Sequence, residues 1–290
     1  MQNLCAFCGS QDVKESKFVR PSLWNGIRKY SYCKLCKGFT LLPPLSDQEM
    51  TDLYANYYND TVVDGSFSTL EKKFKELEAH LAFMDATKVV LDFGCGVDGY
   101  LPSLSTKYNV QIDGFEVSAK TIQILQDRFP HNTFYDQATF QSSNEMYDLI
   151  VLSDVLEHLS DPKALLVSLE QKLKQNGQIW IQQPLENNLT LFTLLLKFWA
   201  IMKKSDFSKS PPFHVTLGSK SSMLKLFQSS NFVVVKFRIN ETMWPASARI
   251  NFRQPKQTCL TLVKYFDFLL ASLFRNYGTR VFFLIKRKHE

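Results

Sequence analysis

The chain has 290 residues, 45% of them hydrophobic, which is enough for one large α/β domain with a small appendage. No signal peptide is visible, because Met1–Ser10 is polar and already contains two cysteines. No run reaches the roughly 18 uninterrupted apolar residues that a membrane span needs, so we expect a cytoplasmic protein.

The net charge of +6 is distributed unevenly. Residues 1–184 contain 17 Lys and Arg against 23 Asp and Glu, a balance of −6, whereas residues 185–290 contain 17 against 5, a balance of +12. The basic part predicts a docking surface for an acidic partner, such as a phosphorylated substrate, a membrane surface or nucleic acid. A solvated basic face explains the same charge, and the sequence leaves both interpretations open.

Two C-x-x-C pairs, Cys5/Cys8 and Cys33/Cys36, stand 24 residues apart near the start of the chain. Four thiolates in two close pairs suit tetrahedral Zn²⁺, which a small module without its own core needs for folding. Two disulfides are the alternative, but nothing indicates an oxidising compartment. We therefore predict a zinc-ribbon-like module over residues 1–42, whose structural Zn²⁺ has no open position for catalysis.

Residues 43–84 predict a helical linker or lid. The segment 69–84 is amphipathic and predicts a helix. A second stripe at helical spacing either packs in the core or closes over a ligand; it consists of Leu53, Tyr54, Tyr57 and Tyr58.

The stretch KVVLDFGCGVDGYL, residues 88–101, predicts a short buried strand, a glycine-rich turn and a helix over Tyr100–Lys107. Glycines let a ligand approach the backbone closely, and the free N–H groups of a helix N-terminus attract anions. This arrangement predicts a nucleotide-type cradle, although a glycine pattern alone is a weak signal and an ordinary turn is the alternative.

Acidic residues follow the next two predicted strands. Glu116 ends the strand at 110–116, where a carboxylate can accept hydrogen bonds from both ribose hydroxyls. Asp136 ends a third strand near Asn132–Tyr135. A surface glutamate before Ser118, a good helix N-cap, is the alternative for Glu116.

The fourth predicted strand, Tyr147–Leu152, is followed by Asp154, Glu157 and His158. These residues should lie at the carboxyl edge of a central parallel strand, where α/β proteins bind ligands. His158 can take a proton near neutral pH, and a neighbouring carboxylate would tune it. A lone histidine is more often structural, but this position favours a role in the site.

The remainder predicts a fifth strand at Gln178–Gln182 and an apolar stretch at Leu189–Lys204. We expect that stretch to be a core helix, with a membrane-surface helix or the wall of a greasy substrate pocket as alternatives. The rest of the chain contains His214, a predicted helix over 219–230 and a second apolar stretch at 258–274. It also contains predicted strands at 232–239 and 280–285, which we expect to pair as a terminal hairpin. The main domain is thus expected at 85–290, with helical insertions at 187–212 and 240–279.

Together these stretches resemble the class I S-adenosylmethionine-dependent methyltransferases. The matching runs are VLDFGCGVDGYL, GFEVSAK, YDLIVLSDVLEHLSDP and FHVTLGSKSSMLKLFQSSNF. The last two resemble the branch of the family that acts on small molecules. The four runs appear in the family's order, and the match covers about residues 70–239. The front end more loosely resembles bacterial methyltransferases of nucleotide sugars and cell-surface saccharides. The resemblance implies an α/β fold with a Rossmann-like seven-stranded sheet, helices on both faces and a reversed final strand.

The resemblance also implies roles for individual residues. Around the cofactor S-adenosyl-L-methionine, Asp92, Gly94 and Gly96 would surround the methionine end, with Cys95 in the same loop. Glu116 would hold the ribose, and Asp136 would approach the adenine. Asp154 would line the side of the cofactor that faces the active site. The catalytic candidates are His158 as base, Glu157 beside it, and His214 in a substrate lid.

One position departs from the family's usual G-x-G-x-G pattern. Asp98 stands in the place of the third glycine, and Gly99 follows one residue later. Either Asp98 replaces a glycine or the loop has one extra residue. A carboxylate there would repel the carboxylate of the methionine moiety, which leaves a non-catalytic methyltransferase-like binding protein as one alternative.

The resemblance therefore predicts methyl transfer to a small-molecule acceptor, such as a saccharide, nucleotide sugar or lipid-linked intermediate of surface-polysaccharide or natural-product biosynthesis. An rRNA or tRNA methyltransferase that uses the ribbon and the basic last third is the other alternative. Against nucleic acid, the ribbon is not basic. Peripheral contact with the inner membrane face is a further expectation from the apolar stretches.

Overall fold

The computed structural model describes residues 4–16, 22–23, 26–27, 29–46, 48–49, 67–203, 214–243, 246 and 253–288. The predicted Leu53–Tyr58 stripe lies outside these residues. In the described residues the strands are β1 (Val13–Glu15), β2 (Ser22–Leu23), β3 (Gly26–Ile27), β4 (Lys29–Cys33), β5 (Phe39–Leu42), β6 (Val89–Phe93), β7 (Gln111–Phe115), β8 (Phe134–Tyr135), β9 (Tyr147–Ser153), β10 (Leu173–Pro184), β11 (Thr216–Leu217), β12 (Phe232–Asn240) and β13 (Arg280–Arg287).

The helices of the same residues are α1 (Phe67–Leu81), α2 (Tyr100–Ser103), α3 (Ser105–Tyr108), α4 (Ala119–Arg128), α5 (Gln137–Ser142), α6 (Pro162–Glu170), α7 (Leu191–Lys203), α8 (Lys220–Ser229) and α9 (Pro255–Leu273), with a 3₁₀ turn at Leu156–His158. The side chain of Ser118 accepts a hydrogen bond from the N–H of Thr121 and caps α4. The helix predicted over Tyr100–Lys107 is divided at Leu104 into α2 and α3.

The larger sheet is mixed and has seven strands in the order β12-β13-β10-β9-β6-β7-β8. Strand β6 is parallel to β7 and β9, and β7 is parallel to β8. Parallel strands buried on both faces need continuous apolar runs, and Leu149, Ile150 and Val151 of β9 are fully buried. The expected α/β fold and the pairing of the last two strands are thus confirmed.

The N-terminal strands form a second sheet in the order β1-β4-β5-β11. Its last strand comes from far along the chain, because Thr216 pairs with Thr40 in antiparallel register. The side chain of Asn187 also donates a hydrogen bond to the carbonyl of Lys37, at 2.5 Å. The predicted zinc module therefore shares its sheet with a later segment.

The chain divides into two compact units. The first contains the described residues of Met1–Pro44, Leu156–Leu165 and Gln182–Phe283, and the second those of Leu45–Val155, Leu166–Ile181 and Leu284–Glu290. The domain boundaries expected at 42 and 84 remain predictions.

The expectation that Leu189–Lys204 is a core helix is wrong. The helix forms as α7, but Leu194, Leu195, Leu196 and Phe198 are each between 42% and 56% exposed. A long apolar run alone does not show which side of a helix faces the protein.

Candidate active site

Parallel strands of the second unit bring predicted site residues to one sheet edge. Phe93 pairs with both Phe115 and Leu152, and Phe115 pairs with Tyr135, at or next to the carboxyl ends of these strands. The loops that follow contain four of the predicted residues: Gly94, Glu116, Asp136 and Asp154. The geometry is the one that α/β proteins use for ligand binding.

The loop after β6 depends on glycine. Gly94 and Gly96 have φ angles of 78° and 60°, in the left-handed region that favours glycine. A Cβ at Gly94 would lie 2.9 Å from Val155 Cγ2, whereas one at Gly96 would meet nothing within 4 Å. The backbone at Gly96 is therefore open to a ligand. The N–H groups of Gly94 and Cys95 donate to the carbonyl of Phe115 and tie the loop to β7.

Glu116 reaches this loop from the end of β7. Its Oε2 accepts a hydrogen bond from the N–H of Gly96 at 3.2 Å. Its Oε1 accepts from the N–H groups of Val117 at 2.8 Å and Ser118 at 3.2 Å. These bonds hold the carboxylate beside the glycine loop, at the position predicted for ribose recognition.

Asp92 is buried and lines a cleft beside the glycine loop. The cleft is lined by Lys73, Phe74, Asp92, Gly94, Cys95, Gly96, Asp98, Tyr100, Leu101 and Ser153. Burial, followed by the charge of Asp98, raises the pKa of Asp92 well above its usual range. A cationic group in the cleft would favour the charged form of Asp92.

The departure at Asp98 has a structural explanation. Gly99 takes the left-handed conformation, with φ 61°, and begins α2 as its N-cap. A Cβ there would lie 2.5 Å from Phe129 Cε2 and 3.0 Å from Leu125 Cδ2, so the position accepts only glycine without rearrangement. Asp98 Oδ1 accepts the N–H of Tyr100 at 2.9 Å. The structure therefore requires a glycine at position 99, one residue after Asp98.

The sequence did not indicate Lys73 and Phe74, which α1 contributes to the cleft. Lys73 Nζ lies 2.8 Å from Asp154 Oδ2, and Asp154 has a positive φ of 58°. Phe74 stacks on Tyr100, with ring centroids 5.3 Å apart. The only sequence signal for this side was the amphipathic pattern of 69–84, which does not distinguish a cleft wall from a core face.

Two predicted cofactor residues have structural tasks. The Cys95 side chain packs with Ile122, Leu125 and Phe134, and burial raises the pKa of its thiol. Asp136 caps α5, because its carboxylate accepts the N–H of Thr139, and the Thr139 side chain lowers the pKa of Asp136. Cys95 also lines the cleft, whereas Asp136 is exposed at the strand end.

The three predicted catalytic residues come together in the first unit. Glu157, His158 and His214 are all buried, and the two imidazole centroids are 4.9 Å apart in an edge-on arrangement. The N–H of Val215 donates to the carbonyl of Glu157 at 2.7 Å, which joins their two segments. His214 Nδ1 lies 2.8 Å from Oε1 of Glu186, a residue that the sequence did not indicate.

Tyr30 supports this cluster from β4. Its hydroxyl donates a hydrogen bond to the carbonyl of His214, and burial, followed by the charge of Glu186, raises the pKa of Tyr30. Glu157, His158 and His214 each offer one ligand atom, and these atoms lie within 4.8 Å of one another. The cluster can therefore move a proton or bind a metal ion.

The four N-terminal cysteines also converge. The Sγ atoms of Cys5 and Cys36 are 3.5 Å apart, and those of Cys8 and Cys33 are 3.6 Å apart. Disulfide sulfurs are about 2.0 Å apart, whereas Zn–S bonds of about 2.3 Å in a tetrahedron place sulfurs roughly 3.8 Å apart. A hydrogen bond from Cys36 lowers the pKa of Cys5, whereas burial raises the pKa of Cys8 and the hydrogen bond with Cys5 raises that of Cys36. The cluster fits Zn²⁺ geometrically.

Known proteins resemble part of this chain. It is 26% identical to ubiquinone biosynthesis O-methyltransferase of Pasteurella multocida over 131 residues, 40% of this chain and 50% of that protein. It is 27% identical to tRNA U34 carboxymethyltransferase of Campylobacter fetus over 161 residues, 53% of each chain. The chain thus spans about half the length of these curated relatives.

The solved structure of mycolic acid cyclopropane synthase CmaA1, complexed with SAH and CTAB, superposes with a TM-score of 0.51 at 16% identity. The match covers 76% of this chain and 84% of that one, and it shows the fold alone. A family model described as a methyltransferase domain matches residues 67–236, which include the glycine loop, Glu116 and the Glu157–His158–His214 cluster. The chain belongs to this family of methyltransferase domains.

Proposed function

We propose that the chain binds S-adenosyl-L-methionine in the cleft of the second unit and transfers its methyl group to a small-molecule acceptor. The observation that carries this proposal is the joint placement of Glu116 and the open backbone of Gly96, which a hydrogen bond connects. A carboxylate beside a glycine loop fits a ribose diol whose nucleoside lies against the backbone.

The residues of the cleft fit the remaining parts of the cofactor. Asp92 faces a space that a cationic methionine end can occupy, and the Lys73–Asp154 pair stands at the end of β9. Bound S-adenosyl-L-methionine supplies a methyl group activated by a sulfonium. The carboxylate of Asp98 accepts a hydrogen bond from the backbone N–H of Tyr100. Because this carboxylate repels that of the methionine moiety, we expect Asp98 to reduce cofactor affinity without abolishing it.

We assign proton transfer from the acceptor to His158. It follows Asp154 by four residues, and Glu157 and His214 lie beside it. Glu186 stands next to Nδ1 of His214, where a carboxylate fixes the orientation of the ring. His214 and Glu157 thus act as positioning residues for His158. A base of this kind typically accelerates a reaction by about 10²–10⁴.

Calorimetry of the full chain with S-adenosylhomocysteine tests the cofactor site. We expect measurable affinity, and we expect Glu116→Gln to weaken it by about tenfold or more, because charged hydrogen bonds contribute about 1.5–3 kcal/mol. Glu145→Gln, on the loop before β9, is the matched control. Absence of binding at millimolar ligand would exclude both enzyme hypotheses and leave the non-catalytic binding protein.

The acceptor class rests on a different observation. The +12 balance of residues 185–290 favours an acidic acceptor, such as a nucleotide sugar or a lipid-linked phosphate. A tRNA-modifying relative supports the RNA alternative. Transfer of a labelled methyl group to nucleotide sugars, lipid-linked saccharides and total tRNA separates the two. Labelling of tRNA alone would reverse our choice.

We also propose that Cys5, Cys8, Cys33 and Cys36 hold a structural Zn²⁺. The converging thiols support this, and a sheet that includes β11 gives the metal a role in the stability of the first unit. We expect about one Zn²⁺ per chain by elemental analysis, and Cys36→Ser should lower both the zinc content and the melting temperature. Cys259→Ser, at an exposed position on α9, is the control. Full stability after chelation would contradict the proposal.

A further inference from the structure

The helices α7 and α9 pack against each other and present a broad apolar surface, which we call the outer face. Its large hydrophobic side chains are each at least 38% exposed; they are Leu194, Leu195, Leu196, Phe198 and Met202 of α7, and Leu262, Tyr265, Phe266, Phe268, Leu269 and Leu273 of α9. Scattered apolar residues are normal on a protein surface, but a concentration on two paired helices indicates a contact surface.

The polarity of α9 is the reverse of that of an ordinary surface helix. Its buried residues are Thr258, Thr261, Lys264 and Asp267, which recur at every third position. Such a helix normally places apolar residues inward and polar residues outward. The inward position of two charged side chains shows that the orientation is not the result of hydrophobic burial.

Specific contacts fix this orientation. Lys264 pairs with Glu241, both with fully buried side chains, and Lys264 Nζ lies 4.7 Å from the ring centroid of Phe192. Asp267 accepts the N–H groups of Leu191 at 2.9 Å and Phe192 at 3.0 Å, the first residues of α7. Rotating α9 to bury its apolar side would break these contacts and leave charged groups unsatisfied, which is strongly unfavourable.

The charge near the ends of α9 favours a partner of opposite charge. Arg253 and Lys256 are exposed at the N-terminal end of α9, and Arg275 is exposed just beyond its C-terminal end. Residues 185–290 as a whole carry +12. A second copy would bring the same positive charge, whereas an anionic bilayer offers complementary charge and an apolar interior. No helix in the described ranges is long and apolar enough to cross a membrane.

We propose that the outer face of α7 and α9 docks onto the surface of an anionic lipid bilayer. The two helices lie in the plane of the membrane, with Phe266 and Leu269 among the side chains that enter the acyl region and the basic ends facing the headgroups. This inference does not depend on methyl transfer, because it rests only on the polarity and charge of these helices.

Co-sedimentation of the full chain with vesicles tests the proposal. We expect binding to phosphatidylcholine vesicles that contain about one third phosphatidylglycerol and weaker binding at high salt. The variant Phe266→Asp/Leu269→Asp should need roughly tenfold more lipid or greater for half-maximal binding. Its melting temperature and its affinity for S-adenosylhomocysteine should not change. The control is Phe83→Asp, whose side chain is 92% exposed on the other unit.

Results of two kinds would overturn the proposal. The first is failure of the full chain to sediment with anionic vesicles, or equal sedimentation of the double variant. The second is a dimer in lipid-free buffer, seen by analytical ultracentrifugation, that the same double substitution dissociates, because the outer face would then belong to a second copy. Because cofactor binding is measured on the same samples, failure of the membrane proposal is distinguishable from failure of the methyltransferase proposal.

Discussion

Nδ1 of His214 lies 2.8 Å from Oε1 of Glu186, inside the same unit that contains His158 and Glu157. The His214 side chain is only 8% exposed, whereas that of Glu186 is one-third exposed. A carboxylate at Nδ1 fixes the tautomer and the orientation of an imidazole. The pair therefore helps to orient the His214 ring, whose centroid lies 4.9 Å from that of His158.

Replacement of Glu186 by Gln tests this positioning role. We expect kcat to fall by about tenfold or more and its pH dependence to change, because the uncharged amide removes a negative charge beside the paired imidazoles of His214 and His158. Affinity for S-adenosylhomocysteine should stay unchanged, since the cleft belongs to the other unit. Glu186→Asp should recover part of the rate. An unaltered pH profile in Glu186→Gln would show that the carboxylate only supports the fold.

Asp92 should make stability depend on pH. Its pKa is raised from 3.8 by burial and by Asp98, so the folded state binds this proton more tightly than the unfolded state. The unfolding free energy therefore falls as pH rises from about 3.8 through the raised pKa. Asp92→Asn should remove this decline and stabilise the apo protein at neutral pH by about 1–3 kcal/mol.

The same substitution should weaken binding of S-adenosyl-L-methionine, because the amide cannot compensate a cationic ligand. Urea unfolding between about pH 5 and 8 checks the effect on stability. Calorimetry at the same pH values checks the effect on cofactor binding. A parallel decline of stability with pH in wild type and variant would assign it to other groups.

The glycine loop and the strand ends were predictable because local rules determine them. A strand must be extended and buried, and only glycine adopts φ near 60–78° readily, so the sequence alone placed Gly94, Gly96 and Glu116 at the same edge. The two histidines were predicted separately. Their contact depends on Val215 meeting Glu157, a pairing between distant segments that no local pattern encodes.

The orientation of α7 and α9 was not predictable from hydrophobic content. Their apolar runs favour burial, and the overriding contacts join Glu241 to Lys264 and Asp267 to the start of α7 across long sequence separations. The sequence also did not predict that Lys73 lines the cleft, because a lysine on an amphipathic helix normally faces solvent.

Substitution of two glycines by alanine should separate folding from cofactor binding. Gly99→Ala is expected to destabilise the protein by about 2–4 kcal/mol, because the Cβ meets Phe129 at 2.5 Å in a left-handed conformation. Gly96→Ala has similar backbone strain but open space, so we expect a loss of about 1–2 kcal/mol.

Cofactor affinity distinguishes the two glycines further. The added methyl group of Gly96→Ala enters the space proposed for the ligand, so binding of S-adenosylhomocysteine should weaken much more than in Gly99→Ala measured well below its melting temperature. Chemical denaturation and calorimetry on the same preparations give both values. Equal cofactor affinity in Gly96→Ala and wild type would mean that no ligand approaches this backbone.

Asp267 provides the last test, because it joins the two helices of the outer face. Its carboxylate binds the first two N–H groups of α7, and Tyr277 donates a third hydrogen bond. Asp267→Ala leaves these buried donors unsatisfied and should lower the unfolding free energy by about 2–4 kcal/mol. Asp267→Asn keeps one acceptor oxygen and should cost less.

By contrast, Leu269→Asp, two residues away on the outer face, should change the unfolding free energy by less than about 0.5 kcal/mol in lipid-free buffer. If the Leu269 variant were the more damaging one in urea unfolding, the apolar side of α9 would be a core face, and the assignment of inward and outward sides would be wrong.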